Sequence, residues 1–205
     1  MEFRVPQCSV LETSLHDKDY FVWVTNSSKH KNHERALEAL ELFYQEEGQL
    51  DALIIGINSH LFNQPASASP YVQAISKLMG RGSFFKKKCH ILGEVSDAAY
   101  IRCLSHARFL WHPTLIDNGT FSVIEAAYLT VPSLSSDYPA MRYMDERFKL
   151  NLLFFDPYHI SGMAKQLKRM EQDAAIRKEL LPERAYLDRF TVERSSLHFW
   201  NALRP

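Results

Sequence analysis

Short, nearly continuous apolar runs recur along this chain, each followed by a longer stretch with apolar residues at helical spacing. No other feature restricts the fold as much. The runs occupy residues 20–25, 51–56, 89–93, 108–112, 131–135 and 150–155. Continuous rather than alternating apolar character marks strands covered on both faces, as parallel strands are. After the first run, Ala36, Leu37, Leu40 and Phe43 fall on one face of a helix. Further helices are expected over residues 71–79, 96–106 and 121–129, and over most of 160–203. Strand and helix in alternation imply an α/β fold: a Rossmann-like, doubly wound parallel sheet of six strands flanked by helices. Residues 1–18 read as a linker, 19–190 as one domain, and 191–205 as a C-terminal helix. There is no internal repeat, heptad pattern or low-complexity segment.

Composition removes several function classes. Lys+Arg and Asp+Glu both number 24, so the chain lacks the positive excess of a dedicated nucleic-acid binder. No apolar run approaches the roughly 20 residues that cross a bilayer, and residues 1–6 do not open like a secretory signal. Cys8, Cys89 and Cys103 are widely spaced and odd in number. They read as reduced thiols in a cytoplasmic compartment.

In doubly wound sheets, ligands bind beyond the carboxyl ends of the strands. Polar and small residues gather there in this sequence, at 26–31, 56–59, 93–97, 113–120 and Asp137. The richest stretch runs from Pro113 through Asp117-Asn118-Gly119-Thr120-Phe121-Ser122-Val123 to Glu125. It leaves a strand, turns at Asn-Gly and enters a helix, for which Thr120 is the expected N-cap. The amides of Phe121, Ser122 and Val123 then form the open end of a helix, which suits phosphate. Glu125, one turn further in, has two oxygens that can accept from neighbouring ribose hydroxyls. Asp117 can hold a second polyol. A capped helix with a solvated acid accounts for the same stretch.

Lys31, just past the first strand, can pair with a diphosphate or stand simply solvated. His30 and His33 have no identifiable third ligand, so no metal site is expected. Asp17-Lys18-Asp19 precedes the first strand, the wrong end for a metal clamp. Neither a G-x-G-x-x-G nor a P-loop pattern occurs, and Ser122 and Ser133 lack a nucleophile elbow. Phe199 and Trp200 read as packing residues.

Taken in order, these pieces resemble the C-terminal, donor-binding domain of GT-B glycosyltransferases, most closely the retaining family 4 enzymes. Lys31-Asn32 resembles the family's Lys-Asn/Gly after the first strand. His90 to Asp97, with Gly93, is similar to its strand-Gly-Val-Ser-Asp block, and Ala107 to Thr114 to its aromatic strand ending in Pro-Ser/Thr. Asp117 and Glu125 match its two acids separated by seven residues, followed by a run to Pro132 and Ser133. The resemblance implies that Glu125 holds the nucleotide ribose and Asp117 the transferred sugar. It further implies that Lys31 neutralises the leaving diphosphate, and that the backbone from Asn118 to Val123 meets diphosphate or sugar. No metal or other cofactor is implied.

Three positions depart from the pattern. Asp117 stands for a Glu, Thr25-Asn26 for Gly-Arg, so that Asn26 replaces a cation, and Thr130 for a Gly. The resemblance also implies a separate N-terminal domain for the acceptor, a glycan or lipid-linked oligosaccharide, beyond these 205 residues. The implied function is the nucleotide-sugar-binding half of a hexosyltransferase, plausibly mannosyl, in bacterial surface-polysaccharide synthesis. Two alternatives stand beside it: a non-catalytic nucleotide-sugar-binding or scaffold module, and a GT-B nucleotide-sugar epimerase.

Overall fold

The computed structural model describes residues 19–56, 69–117, 121–191, 194 and 200. The expected linker over 1–18 and nearly all of the expected C-terminal helix lie outside these residues. Within them, strands β1 (Tyr20–Val24), β2 (Asp51–Ile55), β3 (Cys89–Gly93), β4 (Leu110–His112), β5 (Ser133–Ser136) and β6 (Leu153–Phe155) form one sheet. All neighbouring strands pair in parallel, in the order β3-β2-β1-β4-β5-β6. The expected doubly wound sheet is therefore present, with its reversal of direction between β1 and β4.

Helices α1 (His33–Gln45), α2 (Pro70–Arg81), α3 (Ser83–Lys88), α4 (Asp97–Ser105), α5 (Ser122–Tyr128), α6 (Pro139–Phe148), α7 (Ile160–Glu179) and α8 (Arg184–Leu187) make the connections. Two cores result. On one face Phe21, Trp23 and Trp111 pack against Leu37, Leu40 and Phe43 of α1 and Leu167 of α7. On the other, Val22 and Leu110 meet Leu104 of α4 and Val123 and Ala126 of α5. Alternate residues of β1 thus enter opposite cores, as the two-residue period of a strand requires. Both faces exclude water, which explains why the strands read as unbroken apolar runs.

Several elements differ from the sequence expectation. Helices α3 and α6 were not expected, and the last strand starts at Leu153 rather than at 150. Lys149 and Asn151 have φ of 55° and 53°, a left-handed turn that an extended chain cannot continue through. Cys89 and Cys103 are buried thiols. Trp200 is exposed.

Candidate functional site

The reversal between β1 and β4 opens a crevice at their carboxyl ends, because the two chains depart toward opposite faces. After β1, the Asn26 side-chain oxygen accepts from the Ser28 amide at 3.0 Å, turning the loop back on itself. A single 3-10 turn over Lys29–Lys31 follows, and Asn32 closes it in the left-handed region at φ 61°. Asn32 is also anchored from its side chain, whose Nδ2 donates to the Pro157 carbonyl at 3.0 Å. The Leu115 amide donates to the His30 carbonyl at 2.8 Å, so the loop after β4 is stitched to the loop after β1.

That stitch sets the central contact. Lys31 Nζ donates to Asp117 Oδ2 at 2.8 Å, with the side chains only 11% and 17% exposed. An ammonium has three donors, so this pair leaves Lys31 able to meet further oxygens. Two sequence-derived candidates from distant segments are thereby brought together. Asn26 makes no hydrogen bond to either of them; its oxygen accepts from the Ser28 amide.

Two buried histidines support this crevice. His112, at the end of β4, approaches Ser135 Oγ with Nδ1 at 3.2 Å, and Ser135 in turn donates to the Ser136 carbonyl at 3.4 Å. Nε2 has no hydrogen-bond partner among the described residues. Burial, aided by the Lys31 charge and opposed by Asp117, pushes the His112 pKa down to about 3. It is a neutral ring beneath the ion pair. Sequence reading passed over it, although a histidine inside an apolar strand was a usable signal.

His33, first residue of α1, meets Thr25 Oγ1 through Nε2 at 2.8 Å and the Tyr71 hydroxyl through Nδ1. Burial lowers its pKa to about 4. Both ring nitrogens are engaged, so His30-x-x-His33 is a structural turn. Among the described residues, no group of three His, Cys, Asp or Glu side chains converges as a metal site would require. Asp137 is held by Arg142, which donates to it through Nε at 2.7 Å and through a terminal nitrogen at 2.5 Å.

Glu125 lies on α5. The expected cap Thr120 and its neighbours Asn118 and Gly119 lie outside the described residues. The helix starts at Ser122, flanked by Phe121, whose side chain makes no capping bond. The Phe121 carbonyl accepts from the amides of both Ile124 and Glu125 at 2.9 Å. Phe121 is exposed, whereas Ser122 and Val123 are buried. The Glu125 carboxylate is exposed and accepts from the Tyr100 hydroxyl at 2.7 Å. Tyr100, on α4, was not singled out in the sequence. Burial first, then the carboxylate, raises its pKa far above the ordinary phenol value. Both residues line a cavity of about 820 Å³ between α4, α5 and the 184–191 segment, together with Phe121, Tyr128 and Arg184.

Gly93 ends the edge strand β3 at φ 74°. Its carbonyl accepts from the Gly56 amide at 2.8 Å. With β2 between β3 and β1, it is not part of the Lys31–Asp117 group.

A family model for glycosyl transferases group 1 matches residues 12–186. None of the curated proteins matches the chain. Among solved structures it is similar to sucrose-phosphate synthase from Thermosynechococcus elongatus, at TM-score 0.70 and 17% identity over 95% of this chain and 47% of that one. It is similar to Anabaena Alr3699/HepE in complex with UDP and glucose, at TM-score 0.71 and 15% identity over 96% and 52%. A variant of S. aureus TarM, in complex with fondaparinux, α-GlcNAc-glycerol and UDP, matches at TM-score 0.69 and 15% identity over 91% and 35%. At these identities the likeness is one of fold. The chain spans about half, or less, of the length of these structures.

Proposed function

From the premise that the chain belongs to the glycosyl transferases group 1 family, we propose that it is the nucleotide-sugar-binding half of a retaining hexosyltransferase. Its fold is that of one half of a GT-B enzyme. The observation that carries the reading is the Lys31–Asp117 contact at 2.8 Å, placed where the β1 and β4 ends part. A cation and a carboxylate there suit the two ends of a nucleoside diphosphate sugar: phosphate for Lys31, sugar hydroxyls for Asp117. Glu125 offers a carboxylate to the ribose, and the amides of the first turn of α5 add positive potential near the phosphates. UDP in the HepE and TarM structures supports a nucleoside diphosphate as the carrier.

In this reading Lys31 stabilises negative charge as the sugar–phosphate bond breaks, which is electrostatic catalysis without a metal. The sugar, a hexose such as mannose, passes to an acceptor hydroxyl with its anomeric configuration kept. A further Rossmann-like domain would hold that acceptor, a glycan or lipid-linked oligosaccharide of a bacterial surface polysaccharide, on the cytoplasmic side. One observation favours a binding module without turnover. Asn26, which stands where the family commonly has a second cation, carries no charge, and its oxygen accepts from the Ser28 amide.

The test is a thermal-shift panel of uridine, guanosine and adenosine diphosphates and their hexose conjugates, with and without EDTA. One nucleotide series should raise the melting temperature, and the rise should persist in EDTA. No shift with any of them overturns the donor-site reading, and a strict magnesium requirement overturns the metal-free mechanism.

A further inference from the structure

Glu125 is an exposed helical carboxylate with three rotatable side-chain bonds, a group that ordinarily samples several rotamers. Here it does not stand alone. The Tyr100 hydroxyl reaches across from α4 and donates to Oε2 at 2.7 Å. That length is a normal one for a hydroxyl donating to oxygen. Tyr100 itself has little freedom. Its helix is capped by Ser96, whose Oγ accepts from the Ala99 amide at 3.3 Å, and is anchored in the core by Ala99, Cys103 and Leu104.

We infer that Tyr100 is the positioning residue for Glu125, presetting its carboxylate to receive the two neighbouring hydroxyls of a ribose. The inference rests on the reading of Glu125 as the ribose contact, and it adds a residue that the sequence motifs do not include. A phenol donates one hydrogen, whereas a carboxylate offers about four acceptor positions. The contact therefore restrains Oε2 and still leaves Oε1 with no hydrogen-bond partner among the described residues. Both side chains face the same cavity of about 820 Å³, which is ample for a nucleoside. Phenylalanine at position 100 would fill the same space without donating, so the effect belongs to a single oxygen atom.

The test is calorimetric, on the whole chain. Uridine, guanosine and adenosine diphosphates are each compared with their 2′,3′-dideoxy counterparts, with inorganic pyrophosphate as the probe lacking a sugar. Wild type should prefer the ribose form of the nucleotide it binds. Tyr100→Phe should reduce that preference by roughly five- to tenfold, the worth of one solvent-accessible hydrogen bond, while pyrophosphate binding stays unchanged. In a Glu125→Ala background, Tyr100→Phe should have no further effect.

An unchanged ribose preference in Tyr100→Phe overturns the inference while leaving Glu125 as the contact. Equal loss for ribose and dideoxy forms also overturns it, by showing a general packing defect. If Glu125→Ala binds every probe as wild type does, or wild type binds none, the underlying reading fails and the inference with it. Melting temperatures of the variants separate any loss of folding from loss of positioning.

Discussion

Lys31 and Asp117, 86 residues apart in the chain, are joined by a 2.8 Å ion pair between largely buried side chains. The pair ties the loop after β1 to the loop after β4, and it bears on stability and binding in opposite directions. For folding, Asp117 compensates a lysine charge that is mostly withdrawn from water. For an incoming diphosphate, the same carboxylate is a repulsive neighbour.

Asp117→Asn separates these effects. It should lower stability by about 1–3 kcal/mol, below the loss expected for a fully buried pair because both groups keep some solvent contact. It should also tighten pyrophosphate binding, since a negative charge beside Lys31 is removed. Urea unfolding and calorimetry read the two quantities. Weaker pyrophosphate binding in the variant would place the phosphates away from Lys31.

Glu125→Ala should weaken nucleoside diphosphate binding by about 1–3 kcal/mol, the usual cost of losing hydrogen bonds to a charged group. Pyrophosphate affinity should be unaffected, because the carboxylate serves the sugar. Equal nucleotide affinity in wild type and variant, measured by calorimetry, removes Glu125 from the site.

The sheet was legible because each strand is buried on both faces and so is written as an apolar run. Helix α3 (Ser-Phe-Phe-Lys-Lys-Lys) was not, since six residues are too few for a helical period to appear. In α6 only Met141 is buried, so its apolar face is too thin to read. Lys31, Asp117 and Glu125 could be picked out because each follows a strand end or sits at a fixed spacing within a motif. Their partners could not. Tyr100 reaches Glu125 across 25 residues and Tyr71 reaches His33 across 38, and these pairings exist only once helices are packed side by side. His112 is the exception: a histidine at the end of an apolar strand is visible in the sequence, although its neutral, buried imidazole packs like its neighbours.

His33 and His112 make stability depend on pH in a defined window. Their native pKa values are lowered to about 4 and about 3, chiefly by burial, from an ordinary 6.5. Between those values the unfolded chain binds protons that the folded chain refuses, so stability rises with pH. The contribution is complete above about pH 6.5 and is lost as pH falls toward the native values. Each histidine adds up to about 1.4 kcal/mol per pH unit to the slope near pH 5. Urea unfolding from pH 7.5 to 4.5 should show this slope, and His33→Gln should reduce it by one proton's worth. An unaltered slope in that variant would mean that His33 is protonated in the native state.

Gly56 tests whether the site depends on backbone it never shares with a ligand. Its φ is 137°, outside the range side-chain-bearing residues favour, and an added Cβ would stand 1.8 Å from the Thr25 carbonyl oxygen and 2.9 Å from its carbon. Neither obstacle is a flexible side chain, so the ends of β1 and β2 would have to separate. Thr25 is the residue whose Oγ1 holds His33 at the start of α1, two residues beyond Lys31. Gly56→Ala should therefore cost about 3 kcal/mol or more in urea unfolding, and in the folded fraction it should also weaken pyrophosphate binding. Thr25→Val removes the hydroxyl without forcing the strands apart, and should cost only about 1–2 kcal/mol. If Gly56→Ala unfolds at the wild-type midpoint, the close approach of the two strand ends is not what sets Lys31 in place.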